Sequence, residues 1–103
     1  RNGSGNQAHL SFETYNGSAV AERVRITSAG HLQPGADATY NSGSPSYRWA
    51  NVYSADLQLS NEGSANEIDG SWGSYTIQEG ETNLFLINRR NGKKYTFNLT
   101  EVS

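Results

Sequence analysis

Large aliphatic side chains are scarce in this sequence, and that scarcity limits what the chain can fold into by itself. Leu, Ile, Val and Phe account for 18 of the 103 residues, whereas Ser, Thr, Asn and Gly account for 42. Ordering one residue costs about 1.5 kcal/mol of conformational free energy, and apolar burial is the main term that offsets this cost. We therefore expect part of the stabilising burial to lie between chains.

The remaining composition excludes several classes of protein. Eight basic and ten acidic residues give a formal net charge of −2, whereas a general binder of nucleic-acid backbones carries a basic surface. No apolar run approaches the roughly 18 residues that a membrane-spanning helix requires. The chain contains no cysteine, which removes disulfides, thiolate metal sites and cysteine nucleophiles. We expect no nucleic-acid partner and no membrane insertion.

The pattern of short apolar and aromatic runs predicts an all-β fold. Aromatic residues make up 11% of the chain and the net charge is low, which favours a folded chain over a disordered one. Gly, Asn and Ser separate runs rich in Tyr, Thr, Ile, Val and Phe, as is typical of short antiparallel strands and hairpins. The predicted strands are Ala8–Tyr15, Ala19–Ile26, Trp49–Leu59, Ser74–Gln78, Leu84–Arg90 and Lys93–Leu99.

Composition divides the chain into three segments of one continuous structural unit. Residues 1–31 are predicted to form a shaft-like β-hairpin around the turn Asn16-Gly17-Ser18. Residues 32–66 hold both prolines and are predicted to be a loop-rich connector with one strand. Residues 67–103 are predicted to form a C-terminal three-stranded β-meander. Because the sequence begins with Arg rather than Met, we expect it to be a piece of a longer protein.

The last hairpin can be predicted in detail. Asn91-Gly92 is a strong signal for a two-residue type I′ turn, in which both central residues need positive φ. That loop places Leu86 opposite Phe97 on a face that we predict to be the core face. The other face, with Phe85 and Ile87, is half apolar and could meet another chain.

Four positive charges surround this predicted turn. They are Arg89, Arg90, Lys93 and Lys94. Like charges directly opposite each other normally destabilise a hairpin. Three interpretations stay open: salt bridges with Glu67 and Asp69, an anion-binding site, or solvated charges that protect a sheet edge.

Catalytic and metal-binding motifs are absent from the sequence. There is no phosphate-binding loop, zinc-protease helix, nucleophile elbow or Ca²⁺-loop spacing. We predict that Glu79-Gly80-Glu81-Thr82 is a turn rather than a glycosidase pair, since such a pair needs a deep cleft to raise one pKa. We expect no cofactor, no metal and no enzymatic activity. The enzymatic alternative is a polysaccharide depolymerase that acts through Glu79, Glu81 or Asp69.

The aromatic residues supply the best candidates for ligand binding. Trp72 lies between Gly70-Ser71 and Gly73-Ser74, a setting that predicts a flexible, exposed ring able to stack on a sugar. Trp49 alternates with Asn51 and Tyr53 in a predicted strand, so we expect it to pack in a core or between chains. The predicted ligand-binding residues are Trp72, Tyr75, Arg89, Arg90, Lys93 and Lys94. They should gather at one end of the meander, where they could bind an acidic sugar.

Several stretches resemble those of bacteriophage tail-fibre and tail-spike chains. Residues 21–27 (AERVRIT), followed by Gly30, resemble the stretch A-E-R-M/V-R-I…G of that class. Residues 34–53, from PGAD through GS to YRWANVY, resemble its unit P-x-x-D…G-S…R-W-x-N-V-Y. Residues 73–81 (GSYTIQEGE) and 86–95 (LINRRNGKKY) resemble a C-terminal module of phage tail proteins.

The resemblance implies a homotrimer whose chains intertwine or pack side by side around one axis. It also implies a place in the virion and, as a partner, a bacterial surface polysaccharide or outer-membrane receptor. In many relatives a cleavable trimerisation chaperone follows the fibre. The alternative function is a monomeric carbohydrate-binding β-sandwich module of a secreted enzyme, which would need about seven strands, against the six predicted here.

Overall fold

The computed structural model describes residues 8–103, which form two antiparallel β-sheets in two units. The first unit, which ends at Ala50, holds a three-stranded sheet, and the second unit, Asn51–Ser103, holds a four-stranded sheet. In each sheet the strands lie side by side in sequence order. No helix that could cross a membrane occurs in this range. The prediction of an all-β fold built from short antiparallel strands is confirmed.

The strands are short. The first sheet consists of β1 (Leu10–Tyr15), β2 (Val20–Ile26) and β3 (Leu32–Pro34). The second sheet consists of β4 (Leu57–Ser60), β5 (Ser74–Glu79), β6 (Leu84–Asn88) and β7 (Lys94–Thr96). Strand β3 was not predicted from the sequence. It pairs with β2, while β4 pairs with β5.

The predicted strand Trp49–Leu59 is mostly wrong, because regular structure begins only at Leu57. Residues 49–56 carry strand-favouring side chains, but no other strand of the described chain pairs with them. Local bonds occupy part of this segment instead, since Ser54 Oγ donates to the Asp56 carbonyl at 2.6 Å. Strand propensity reflects packing in a sheet and does not hold an unpaired segment. Trp49 and Tyr53 therefore do not share one side of a strand.

The turn between β1 and β2 lies where the sequence predicts it. Asn16 Oδ1 accepts hydrogen bonds from the backbone N–H groups of Ser18 and Ala19, at 2.9 and 3.0 Å. The Asn16 N–H donates in turn to the Ala19 carbonyl at 3.1 Å. An asparagine that bonds to the backbone two and three residues ahead imitates a backbone turn. The side chain of Asn16 thus fixes the hairpin.

A β-bulge interrupts the pairing of β1 with β2. The register shifts between Phe12 and Glu13, whose partners are Val24 and Glu22, so Arg23 is the extra residue. A bulge redirects the side chain of the residue that it inserts. The Arg23 carbonyl accepts a hydrogen bond from the Gly35 N–H at 2.9 Å, and a Cβ at Gly35 would overlap the backbone of Glu22. Glycine is therefore required where the chain passes the bulge.

The predicted two-residue type I′ turn at Asn91-Gly92 is wrong. The loop holds four residues, 89–92, and is closed by a hydrogen bond from the Asn88 N–H to the Lys93 carbonyl at 2.8 Å. The turn begins earlier than predicted because Asn88 Oδ1 accepts the Arg90 N–H at 3.0 Å. Only Gly92 of the predicted pair has positive φ, 75°.

The longer loop changes the pairing but not the faces of the hairpin. Leu86 lies opposite Tyr95 rather than opposite Phe97. The pairing moves by two residues relative to the prediction, and side chains in a strand alternate with a period of two. Each side chain therefore keeps its predicted face although it has a different neighbour.

The most buried residues of the second sheet lie on the face that was not predicted to be the core. Thr76 is fully buried and its strand neighbour Ile87 is 8% exposed. Thr76 Oγ1 donates to Gln58 Oε1 at 2.6 Å and accepts from Arg89 Nε at 2.9 Å. Long polar side chains of the same face thus pack over a small hydroxyl.

The opposite face of the second sheet, the predicted core face, is half exposed. We call it the apolar face of the second sheet; it is formed by Leu57, Leu59, Ile77, Leu84, Leu86 and Tyr95. Leu57, Leu59, Leu84 and Tyr95 are 49, 47, 42 and 46% exposed. A sheet with one apolar face ordinarily buries that face against a second layer. The predicted core face of the last hairpin, which includes Leu84, Leu86 and Tyr95, is therefore partly exposed in the single chain.

The first sheet also has a half-exposed apolar face. Register places Leu10, Ile26 and Leu32 in one row, with Phe12, Val24 and Pro34 in the next row on the same face. Leu32 is 72% exposed, Leu10 is 54% exposed and Phe12 is 51% exposed.

Candidate functional site

The second unit contains an open depression of about 490 Å³ beside the apolar face. The loop between β4 and β5 forms much of its wall. We call it the Trp72 depression; its lining includes Leu59, Asn61, Asn66, Asp69, Ser71, Trp72 and Tyr75. Two aromatic rings therefore lie beside side-chain amides, a hydroxyl and a carboxylate. Sites for small molecules commonly combine apolar rings with a few fixed polar groups in this way, at volumes of roughly 300–1,000 Å³.

Asn66 holds the long loop together from within. Its Oδ1 accepts the backbone N–H groups of Ile68 and Asp69, at 2.7 and 2.9 Å. Its Nδ2 donates to Asp69 Oδ1 at 2.8 Å and to the Ser71 carbonyl at 2.9 Å. One amide thus joins the first and last parts of the segment that leads into Trp72.

Asn61 closes the base of the same loop. Its Oδ1 accepts the Gly73 N–H at 2.8 Å, and its own N–H donates to the Gly73 carbonyl at 3.3 Å. The residue that follows Trp72 is therefore bonded twice across the loop. The prediction that the Gly-Ser flanks leave Trp72 in a flexible setting is wrong.

Arg90 stacks on Trp72. Its guanidinium carbon lies 3.8 Å from the ring centroid, a cation–π contact. Arg90 Nη1 also donates to the Trp72 carbonyl at 3.0 Å. Trp72 is consequently half-buried rather than exposed, and its position depends on a residue 18 positions further along the chain.

Asp69 carries the negative charge of the depression. Its Oδ1 accepts hydrogen bonds from Ser71 Oγ at 2.7 Å, from Asn66 Nδ2 at 2.8 Å and from the Ser71 N–H at 3.0 Å. Hydrogen bonds to the charged form favour it, and these, led by the Ser71 hydroxyl, lower the pKa of Asp69 from 3.8 to about 2. A carboxylate that is ionised at neutral pH cannot serve as a general acid.

The predicted salt bridges between the hairpin tip and Glu67 or Asp69 are not formed. Within residues 8–103 the ion pair closer than 4 Å is that of Arg25 with Glu22, at 2.9 Å. Asp69 bonds to its own loop instead. Arg90 instead contacts the ring and the carbonyl of Trp72, and Arg89 donates to the Thr76 hydroxyl.

Three of the six predicted binding residues lie around one surface. Trp72, Tyr75 and Arg90 line a second concavity of about 410 Å³ together with Asn88. Asn88 Nδ2 donates to the Tyr75 hydroxyl at 3.4 Å. Lys93 is opposite Asn88, to which its carbonyl is bonded, so its register position belongs to the same face.

The other two predicted residues lie on the opposite face of the sheet. Arg89 Nε donates to Thr76 Oγ1, and Lys94 is the strand neighbour of Ile87. The six residues are therefore divided between two faces of the sheet. The separation follows from strand alternation, because consecutive residues of a strand point to opposite faces.

Apart from Asp69, which was a candidate for the enzymatic alternative, the polar residues that build the depression were not predicted as site residues. Asn66, Asp69 and Ser71 follow one another at spacings that suit side-chain turns to the backbone, and that local signal was available in the sequence. The sequence carried no such signal for the contact of Asn61 with Gly73, because that contact depends on the pairing of β4 with β5.

Other predicted chemistry can be placed as well. The turn at residues 79–82 is confirmed in position, with the Gly80 N–H donating to the Asn83 carbonyl at 2.7 Å between β5 and β6. In the part of the chain that the structure describes, no group of three or more His, Cys, Asp or Glu side chains could hold a metal ion.

Comparison with known proteins gives no relative for this chain: no family model, no curated protein and no solved structure matches it. The residues and their geometry are therefore the basis for assigning a function.

Proposed function

We propose that this chain is a segment of a trimeric bacteriophage tail fibre that attaches the virion to its bacterial host. It does so by binding a surface polysaccharide or by supporting the segment that binds. The observation that carries the proposal is the half-exposed apolar face on each sheet. Fully burying one large apolar side chain contributes about 1.5–3 kcal/mol, so covering the exposed halves of four on the second sheet would contribute about 3–6 kcal/mol per chain.

Identical neighbouring chains can cover these faces. Each copy presents the same two apolar faces, and a net charge of only −2 opposes close approach weakly. The resemblance of residues 21–27 and 34–53 to tail-fibre chains supports three copies around one axis. The shortage of large aliphatic residues supports the same arrangement, because a shared interior needs fewer of them per chain.

The Trp72 depression supports attachment through a glycan. A pyranose ring has an apolar C–H face that can lie against an aromatic ring and hydroxyls that can bond to amides and carboxylates. Asp69 Oδ1 accepts the bonds from Asn66 and Ser71, which leaves Oδ2 to accept a hydroxyl of a sugar. The bonds that fix the loop reduce the entropy lost on binding.

Two measurements test the proposal. Sedimentation at micromolar concentration should give three times the mass of the chain, and a clean monomer would remove its physical basis. On an array of bacterial surface polysaccharides, Trp72→Ala should weaken binding about tenfold, which corresponds to about 1.4 kcal/mol. The number of chains in the assembly, measured by sedimentation, should not change.

Tyr53→Ala is the matched control for Trp72→Ala, since Tyr53 is 93% exposed and does not line the depression. Its binding should equal that of the unmodified chain. Equal binding by Trp72→Ala would show that the depression is not the attachment site.

One observation favours the alternative, a monomeric carbohydrate-binding β-sandwich module. The described chain has seven strands in two antiparallel sheets, the number that such a module needs. Its strands pair only with their sequence neighbours, however, whereas the sandwiches of that class use Greek-key connections. A monomer that binds glycans in the same two assays would support the alternative.

A further inference from the structure

The first unit contains a depression of its own, with a volume of about 610 Å³. We call it the Trp49 depression; it is lined by Arg23, Gln33, Pro34, Tyr40, Asn41 and Trp49, among others. The sequence predicted that Trp49 packs in a core or between chains, and in the single chain this residue is 69% exposed. An exposed indole beside a tyrosine and polar side chains is also an arrangement that can bind a ligand.

Trp49 is held in place although it is exposed. Its Nε1 donates to Ser42 Oγ at 2.8 Å. The loop before it is closed by two backbone hydrogen bonds between Ser44 and Tyr47, at 3.0 and 3.2 Å. An aromatic ring that is fixed before binding loses little conformational entropy when a ligand stacks on it. Trp49 is thus preorganised as a stacking surface.

Arg23 supplies the charge of this depression. As the bulge residue of β2, it donates from Nε to Thr14 Oγ1 at 2.8 Å and from Nη1 to the Tyr40 hydroxyl at 2.7 Å. Its Nη2 makes a longer bond of 3.4 Å to the Thr14 carbonyl. A guanidinium has five N–H groups, so one on each Nη remains for a ligand.

Two amides complete the polar lining. Within residues 8–103 the side chains of Gln33 and Asn41 have no hydrogen-bond partner, and both line the depression. Among the described residues that line the depression, Arg23 is the one that carries a charge. The Trp72 depression, by contrast, contains the carboxylate of Asp69. The charge of the Trp49 depression therefore favours an anionic ligand.

We propose that the Trp49 depression binds a carboxylate-bearing pyranose, that is, a uronic acid residue of a polysaccharide. The C–H face of the sugar stacks on Trp49, and its hydroxyls bond to the amides of Gln33 and Asn41. The carboxylate accepts hydrogen bonds from the two remaining N–H groups of Arg23, because a guanidinium can donate two parallel hydrogen bonds to the two oxygens of a carboxylate. This site is separate from the Trp72 depression, and the proposal does not depend on the chain being a fibre segment.

The test uses matched pairs of sugars. Methyl glucuronide, galacturonide and mannuronide are each compared with the methyl hexoside that has a hydroxymethyl group in place of the carboxylate. In the full chain carrying Trp72→Phe, Trp49 is the remaining indole, so its fluorescence reports this depression. At least one uronide should change that fluorescence saturably, with a dissociation constant at least about fivefold below that of its neutral partner.

Variants separate a binding role from a structural one. Gln33→Ala and Asn41→Ala should each weaken uronide binding about threefold or more without changing thermal stability, since neither side chain has a hydrogen-bond partner among residues 8–103. Arg23→Gln should remove the preference for the uronide. Asn51→Ala, an exposed amide outside the depression, is the control and should bind normally.

Three results would overturn the proposal. They are the absence of any Trp49 response to all three uronides, equal affinity for each uronide and its neutral partner, and unchanged binding by both Gln33→Ala and Asn41→Ala. Unchanged binding by Gln33→Ala and Asn41→Ala would overturn the proposal even if Arg23→Gln does not fold.

Discussion

Asparagine side chains order the turns and the long loop of both units. Asn16 fixes the first hairpin, Asn66 bonds across the loop after β4, and Asn61 closes its base. Each bond satisfies a backbone N–H group that would otherwise rely on water. In composition these residues suggest disorder, but their positions give the chain local order that its few aliphatic residues do not supply.

Asp69 leads to a prediction about pH. Its folded-state pKa of about 2 lies below the ordinary 3.8, so its ionised form stabilises the loop above about pH 4. That contribution is lost as the pH falls through about 2. A carbon-detected NMR titration of the Asp69 carboxyl group should give a midpoint near pH 2.

Ser71→Ala should raise this midpoint toward the ordinary value, because it removes the hydroxyl that lowers the pKa of Asp69 most. Ser64→Ala lies in the same loop without contacting Asp69 and serves as the control. A midpoint near 3.8 in the unmodified chain would contradict the geometry.

The stacking of Arg90 on Trp72 leads to a second residue-scale prediction. In a Trp49→Phe background, Arg90→Ala should shift the fluorescence of Trp72 to longer wavelength, because water replaces the guanidinium. The free energy of unfolding should fall by about 0.5–1 kcal/mol. Arg90→Lys keeps the charge but loses the planar group, so its shift should be intermediate. Arg48→Ala is the control, and the absence of any shift in Arg90→Ala would count against the stack.

At the scale of the element, the β6–β7 hairpin shows how side chains compete to set a turn. The sequence predicted Asn91-Gly92 as the whole loop, but Asn88 captures the Arg90 N–H and Asn91 captures the Lys93 N–H, at 3.0 and 2.9 Å. These two side-chain turns together lengthen the loop to four residues. A dipeptide rule cannot foresee this, because it does not weigh asparagines outside the dipeptide.

Gly92→Ala tests the loop conformation. A Cβ at Gly92 would meet no atom within 4 Å, so the substitution acts only through the positive φ of 75°. We expect urea denaturation to show a loss of about 1–2 kcal/mol. Gly92→Asn should cost less, since asparagine tolerates this region better. Equal stability of Gly92→Ala and the unmodified chain would mean that the loop is different.

At the scale of the whole molecule, the main feature is that each sheet has a partly exposed apolar face. Both sheets alternate apolar and polar side chains as a sheet with one buried face does, yet most of the large residues on both apolar faces are 38–72% exposed. Exposed apolar surface of this kind commonly marks an interface.

Tyr95 and Thr96 provide a paired test of that interface. They are adjacent in β7 and point to opposite faces, with Tyr95 on the apolar face of the second sheet. In sedimentation, Tyr95→Glu should shift the proposed trimer toward monomer, because it would bury a charge in the proposed interface. Thr96→Glu should leave the proposed trimer intact. Dissociation of both variants alike, or of neither, would place the interface elsewhere.

By itself the sequence determined the class of fold, the approximate positions of most strands and the faces of the last hairpin. These features depend on residues near one another in the chain. The faces also depend on the alternation of side chains along a strand, which is unchanged when the strand pairing moves by two residues. Only the tertiary structure decided that Asn61 bonds to Gly73, 12 residues away, and that Arg90 stacks on Trp72, 18 residues away. Such contacts arise from the pairing of whole strands, whose register depends on bonds between segments that no local pattern encodes.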